Sequence, residues 1–157
     1  MQLAWLLALA PVFATTVSAA TLEKVLDGDT VIIREGTQHY HLRLLDIDAP
    51  ELHQSYGKQS QRSLRTFCQK ARIVVEADGT DRYGRTLGNL YCDGQNSSTH
   101  QITQGMAWFN SKFSQNNALA DLQVQVQQSR IGLWQQENPV QPWVWRKLYG
   151  AHYRRQE

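Results

Sequence analysis

The stretch RLLDIDAPE, Arg43 to Glu51, sets an arginine at the head of an apolar run and three carboxylates, Asp46, Asp48 and Glu51, at its end. Carboxylates so close together repel one another unless a cation or a bound partner compensates them, so something positive is expected there. Upstream, Asp27-Gly28-Asp29-Thr30 puts two more carboxylates around a glycine. Alone that tetrapeptide reads as a turn, because Asp and Gly populate turns for backbone reasons. Joined to Asp48 and Glu51, it supplies the oxygen ligands that a hard cation such as calcium takes, with backbone carbonyls, water or a substrate oxygen completing the shell. Pro50 biases Ala49 toward an extended backbone and so sets the Ala49 carbonyl beside the Asp48 side chain. An EF-hand is excluded, since DGDTVIIREGTQ lacks the glycine at its sixth place and the glutamate at its twelfth.

Arg43 and Arg85 are the second half of the chemistry. An arginine amid apolar residues needs an anionic partner if its head is not free in water. A guanidinium grips two phosphate oxygens at once and matches the charge that builds on a phosphoryl group during displacement. For Arg43 the plain structural alternative is a salt bridge to Asp46 or Glu51.

The elements that must position these groups are short. VLDGDTVIIRE and HYHLRLLDI read as strands flanking a turn at Glu35-Gly36-Thr37, and ARIVVEA and RTLGNLYC as two more joined through DGTDRYG. Between the pairs, YGKQSQRSLRTFCQKA places Leu64, Phe67, Cys68 and Ala71 at helical spacing. Ser98 followed by Gln101 reads as a capping box opening a short helix through Met106, and Asn116 or Asn117 as the cap of a last helix bearing Leu119, Leu122 and Val126. About five short strands with some three helices inserted predict an α+β fold built on a small barrel of the oligonucleotide-binding type.

The chain of 157 residues, 41% hydrophobic and 19% charged, suits one compact domain with a single core. A formal net charge of only +2 advertises no global basic field, so a nucleic-acid partner must be read from local arginines. The tail WRKLYGAHYRRQE is one such basic stretch and reads as a solvated terminus.

Residues 1–20 carry no charged side chain, an apolar run from Leu3 to Phe13 and small residues at their end. They read as an export signal cleaved after Ala19 or Ala20, the run being shorter than the roughly 20 residues of a spanning helix. Residues 21–157 are then the mature domain, with no membrane contact once the signal is removed. In an oxidising compartment Cys68 and Cys92 either join or stay as two small buried hydrophobes, and their number and spacing make no zinc site.

DGDT, then RLLDIDAPE, then TDRYGR, in this order and spacing, resemble the staphylococcal nuclease (thermonuclease) family, from about Leu22 to Trp134, with ENPVQPWVWRK similar to an extension that many bacterial members carry. The resemblance implies an oligonucleotide-binding barrel with three helices and an extracytoplasmic, calcium-dependent nuclease that cleaves DNA and RNA to leave 3′-phosphate ends; a monomer is expected. It places the metal aspartates on Asp29 and Asp48 and the carbonyl ligand on Ala49, where the staphylococcal enzyme has threonine. It places the phosphate-gripping arginines on Arg43 and Arg85, the water-activating glutamate on Glu51, and a phosphate-touching tyrosine on Tyr83. Asp46 stands where relatives carry a glycine or an apolar residue, and the loop after APE is shorter than in the staphylococcal protein. Ser111 and Phe113 fall where two pocket tyrosines stand, so base stacking is expected from Trp108 or Phe113. Trp134, Trp143 and Trp145 read as packing residues. Two function classes follow: a metal-dependent phosphodiesterase, or a nucleic-acid or protein binding module of the same fold that has lost catalysis. Retention of Asp29, Arg43, Asp48, Glu51 and Arg85 favours the enzyme.

Overall fold

A computed structural model describes residues 19–153, with side chains to residue 150. The export signal expected at residues 1–20 lies almost wholly outside them. Along the chain run β1 (Ala20–Val25), β2 (Thr30–Glu35), β3 (Gln38–Leu44), β4 (Ile47–Asp48), α1 (Gly57–Cys68), β5 (Ile73–Thr80), β6 (Thr86–Cys92), β7 (Gln95–Asn96), α2 (Ser97–Thr103), β8 (Trp108–Phe109), α3 (Asn117–Gln128), a 3-10 turn (Gly132–Gln135) and α4 (Pro142–Tyr153).

Strand pairing follows the alternation of apolar residues. Val31 and Ile33 of β2 and Leu42 and Leu44 of β3 are buried on the core face, while their neighbours point away. β2 and β3 pair antiparallel through the two-residue turn at Gly36-Thr37, with Thr30 opposite Arg43. The sheet runs β1-β2-β3-β6-β5, antiparallel except where β3 meets β6, and β7 adds to β6. Cα atoms of β1 and β5, the two ends of this path, come within 8 Å of each other, so the sheet curls on itself. This is the expected α+β fold of oligonucleotide-binding type, with a fourth helix, α4, beyond the three anticipated. No described helix is long and apolar enough to cross a membrane.

α1 lays Leu64 and Cys68 into the core, where Cys68 forms a disulfide with Cys92 at the end of β6, Cα atoms 5.1 Å apart. The cap of α2 is Asn96 rather than Ser98: the Asn96 side chain accepts from the Thr99 amide, while Ser98 Oγ donates to the Leu45 carbonyl at 2.8 Å and is spoken for. Asn116 caps α3 through the Leu119 amide. A second apolar cluster, Trp108, Val126, Leu133 and Trp134, joins β8, α3 and the 3-10 turn.

Candidate active site

Two glycines set the frame of the site. A Cβ on Gly28 would fall 1.8 Å from Ser60 Oγ, and one on Gly57 would fall 1.9 Å from the Glu51 carbonyl oxygen. Only bare backbone at these two places lets the start of α1 press against both the 27–30 turn and the 49–51 segment. The buried Gln101 amide donates to the Gly28 carbonyl at 2.7 Å and to the Ser60 carbonyl at 3.1 Å, tying turn, α1 and α2 together.

Within that frame Asp29 and Asp48 are nearly inaccessible, at 4% and 3% exposure. Asp29 Oδ2 accepts from the Ala49 amide at 2.6 Å, and Oδ1 accepts from the Thr30 hydroxyl and stands 3.0 Å from Arg43 Nε. The Leu44 amide donates to the Asp29 carbonyl, which locks the turn to β3. Arg43 bridges both aspartates: Nη2 lies 3.3 Å from Asp48 Oδ1, and Nη1 donates to the carbonyls of Leu44 and Ile47. Its anionic partners are therefore Asp29 and Asp48, not the Asp46 or Glu51 named from the sequence. Asp46 turns away: it sits at φ 69°, a left-handed position that Asp tolerates and that glycine adopts freely, and its carboxylate accepts from Asn116 Nδ2 at 3.3 Å.

Burial raises the Asp48 pKa, and the charge of Asp29 adds to that, against the hydrogen bonds and charges of Arg146 and Arg43. Asp27 is pushed up to about 8 by burial and by neighbouring Asp29, although its Oδ1 accepts from the Asp29 amide. Burial and mutual repulsion thus work against the charged forms of Asp27 and Asp48, and the arginines work for that of Asp48.

Sequence reasoning missed Arg146. This residue of the basic tail is no solvated terminus: Nη1 and Nη2 donate to Asp48 Oδ1 and Oδ2 at 3.1 and 2.7 Å, and Nη1 donates to Glu51 Oε1 at 2.7 Å. Burial lowers the Arg146 pKa, but Asp48 and Glu51 outweigh it and hold the guanidinium charged. The only sequence signal was the local run of basic residues.

Arg85 and Tyr83 form a neighbouring network. Asp81 accepts from the amides of Tyr83 and Arg85 and from Arg85 Nε at 2.8 Å. Burial works upward on the Asp81 carboxyl, but these bonds outweigh it and hold its pKa below the usual value. The parallel register, Leu42 beside Thr86 and Arg43 beside Leu87, brings the start of β6, and with it Arg85, next to the end of β3 that bears Arg43. Tyr83 is 70% exposed, with the guanidinium carbons of Arg82 and Arg85 at 5.0 and 5.6 Å from its ring centroid. Phe113 is likewise exposed, with Lys112 Nζ at 5.2 Å. Trp108 is not available for stacking: pairing of β8 with β4 holds it in the apolar cluster, 8% exposed and edge-on to Trp134 and Trp143.

Calcium fits the chemistry of this donor set, since the ligands on offer are all hard oxygens. Among the described residues no group of three or more His, Cys, Asp or Glu could hold a metal ion unaided. Two aspartates would need the Ala49 carbonyl and water beside them.

Fold and site together define a class, a small α+β barrel protein with an acid–arginine cluster at the end of its central hairpin. Residues 41–136 match the family model described as Staphylococcal nuclease homologue. An uncharacterized endonuclease of Escherichia coli O157:H7 is 36% identical over 124 residues, 78% of this chain and 81% of its own. A micrococcal nuclease of Shigella flexneri is 32% identical over 135 residues, 79% of this chain and 78% of its own. An uncharacterized endonuclease of Haemophilus influenzae is 35% identical over 125 residues, 79% of this chain and 70% of its own. The chain belongs to the staphylococcal nuclease homologue family.

Proposed function

We propose that the chain is a calcium-dependent nuclease that hydrolyses phosphodiester bonds of DNA and RNA and leaves 3′-phosphate ends. The observation that carries this reading is the single hydrogen-bonded cluster in which Asp29, Arg43, Asp48 and Ala49 meet, with Glu51 at its rim. Asp29, Asp48 and the Ala49 carbonyl would hold calcium, whose chemistry when bound is to polarise a phosphate oxygen. Glu51, with its side chain 34% exposed, is open enough to orient a water and take its proton. Arg43 and Arg85 present N–H donors to the phosphate oxygens on which charge accumulates. Tyr83 and Phe113, both exposed beside cationic side chains, offer faces to the substrate, and Trp108 supports the site from within the apolar cluster.

Export through residues 1–20 and work in the periplasm or outside the cell as a monomer complete the proposal. The Cys68–Cys92 disulfide supports an oxidising compartment. Cleavage after Ala19 would leave β1 entire.

The test is to incubate the mature protein with single- and double-stranded DNA and with RNA, adding calcium, magnesium or chelator, and to map the cleaved ends. Cleavage with calcium and little with magnesium is expected, because magnesium insists on near-octahedral geometry at shorter distances. Robust turnover in chelator overturns the metal reading, and binding without cleavage under every condition turns the protein into a binding module.

A further inference from the structure

α4 lies beyond the residues that match the family model, yet it reaches the centre of the site. Two contacts pin the chain leading into it and a third pins its first turn. Gln54 Nε2 donates to the Val140 carbonyl at 2.6 Å, Ser55 Oγ donates to Gln136 Oε1 at 2.7 Å, and Trp143 meets Trp108 edge-on with ring centroids 6.0 Å apart. Residues three apart share a helix face, so anchoring Trp143 also aims Arg146 inward. Its forked head then takes both oxygens of Asp48 and one of Glu51. With Arg43 on Asp48 Oδ1 as well, both Asp48 oxygens are engaged.

We propose that Arg146 is an internal counter-cation that competes with the divalent cation for Asp48 and Glu51, and so sets the metal affinity of the site. This rests on the calcium reading given above. Asp48 Oδ1 already accepts from Arg43 and Arg146 and Oδ2 accepts from Arg146, so few of the carboxylate's lone-pair directions remain for a metal ion, and two positive groups crowded on the same carboxylates repel each other. Binding the ion is therefore an exchange. The geometry suits release: the Arg146 side chain is 43% exposed while that of Asp48 is 4%, so the guanidinium sits at the mouth on a flexible stem and can swing to water while the aspartate stays. In the metal-free protein the same bond adds to that of Arg43 in offsetting the burial of the Asp48 carboxylate.

Calorimetric titration of the chelator-treated full chain with calcium chloride tests the exchange, comparing the parent with Arg146→Gln and Arg146→Lys. Removal of the fork is expected to tighten calcium binding about tenfold or more, the span of one charged hydrogen-bonded pair, and to lower the Tm of the metal-free protein. Arg146→Lys keeps one charge without the fork and is expected to fall between, which preserves the comparison if the glutamine variant does not fold. Equal or weaker calcium binding in both variants overturns the competition and leaves the metal site standing. Absence of calcium binding in parent and variants alike overturns the metal reading itself. Binding seen only in the variants supports both.

Discussion

Arg43 Nε stands 3.0 Å from Asp29 Oδ1, with the two side chains only 13% and 6% exposed. The arginine expected to grip phosphate is thus also the partner that makes two buried aspartates tolerable. Arg43→Ala is expected to lower turnover and also to destabilise the metal-free protein by about 3 kcal/mol, because it leaves Asp29 without that partner. Urea unfolding in chelator and in calcium checks this, with calcium recovering part of the loss. An unchanged midpoint in chelator would show that Arg43 bears no structural load.

Arg85 offers the contrast. Its head is 31% exposed and its partner Asp81 lies in the same loop, so Arg85→Ala is expected to leave the unfolding midpoint within about 0.5 kcal/mol of the parent. Turnover should fall at least as much as substrate affinity if the guanidinium stabilises developing charge. Single-turnover kinetics beside a binding titration separate the two, and a loss confined to affinity assigns Arg85 to positioning.

Glu51→Gln keeps shape and hydrogen-bonding reach but removes the basic oxygen. Cleavage is expected to drop by roughly two to four orders of magnitude while nucleic-acid binding survives. Cleavage at the parental rate would remove Glu51 from the catalytic role.

The crowded acids predict a pH dependence of stability. A carboxyl whose folded pKa lies above its unfolded one binds more protons when folded, so its contribution is complete below the unfolded value and is lost as pH rises through the folded one. For Asp27 that window runs from the ordinary 3.8 up to about 8, and Asp48 shifts in the same direction. Chelator-treated protein is therefore expected to lose Tm steadily between about pH 5 and pH 8. Asp27→Asn, which keeps an oxygen to accept the Asp29 amide, should flatten that slope. A slope unchanged in the variant would clear Asp27.

The Cys68–Cys92 bond closes a loop of sequence separation 24 between α1 and β6. Its replacement by two serines is expected to cost about 3 kcal/mol, chiefly by freeing the unfolded chain. Denaturant titration of oxidised, reduced and doubly substituted protein measures it.

The sequence by itself determined whatever is local. Asp48, Ala49, Pro50 and Glu51 are adjacent, so a strand ending at a proline delivers them together. Arg43 lies one short strand upstream, and Asp29 is brought to it by a hairpin whose turn is legible at Glu35-Gly36-Thr37. Alternation of apolar residues gave the strands, and helical spacing gave α1 and α3. Ordinary chemistry of carboxylates and guanidinium then pointed to one charged cluster.

Tertiary structure decided what depends on partners far along the chain. Ser98 and Asn96 both resemble caps, and the distant Leu45 carbonyl, by taking the Ser98 hydroxyl, leaves the role to Asn96. Trp108 offers the same aromatic face as any stacking residue until pairing with β4 and packing on Trp134 bury it. Two cysteines became a bond only because the last residue of α1 meets the last residue of β6. Arg146 meets Asp48 from 98 positions away, and no periodicity or motif spans such a gap. A basic residue near a terminus has the same local signature whether water or a buried carboxylate receives it, and only the docking of α4 chooses between them.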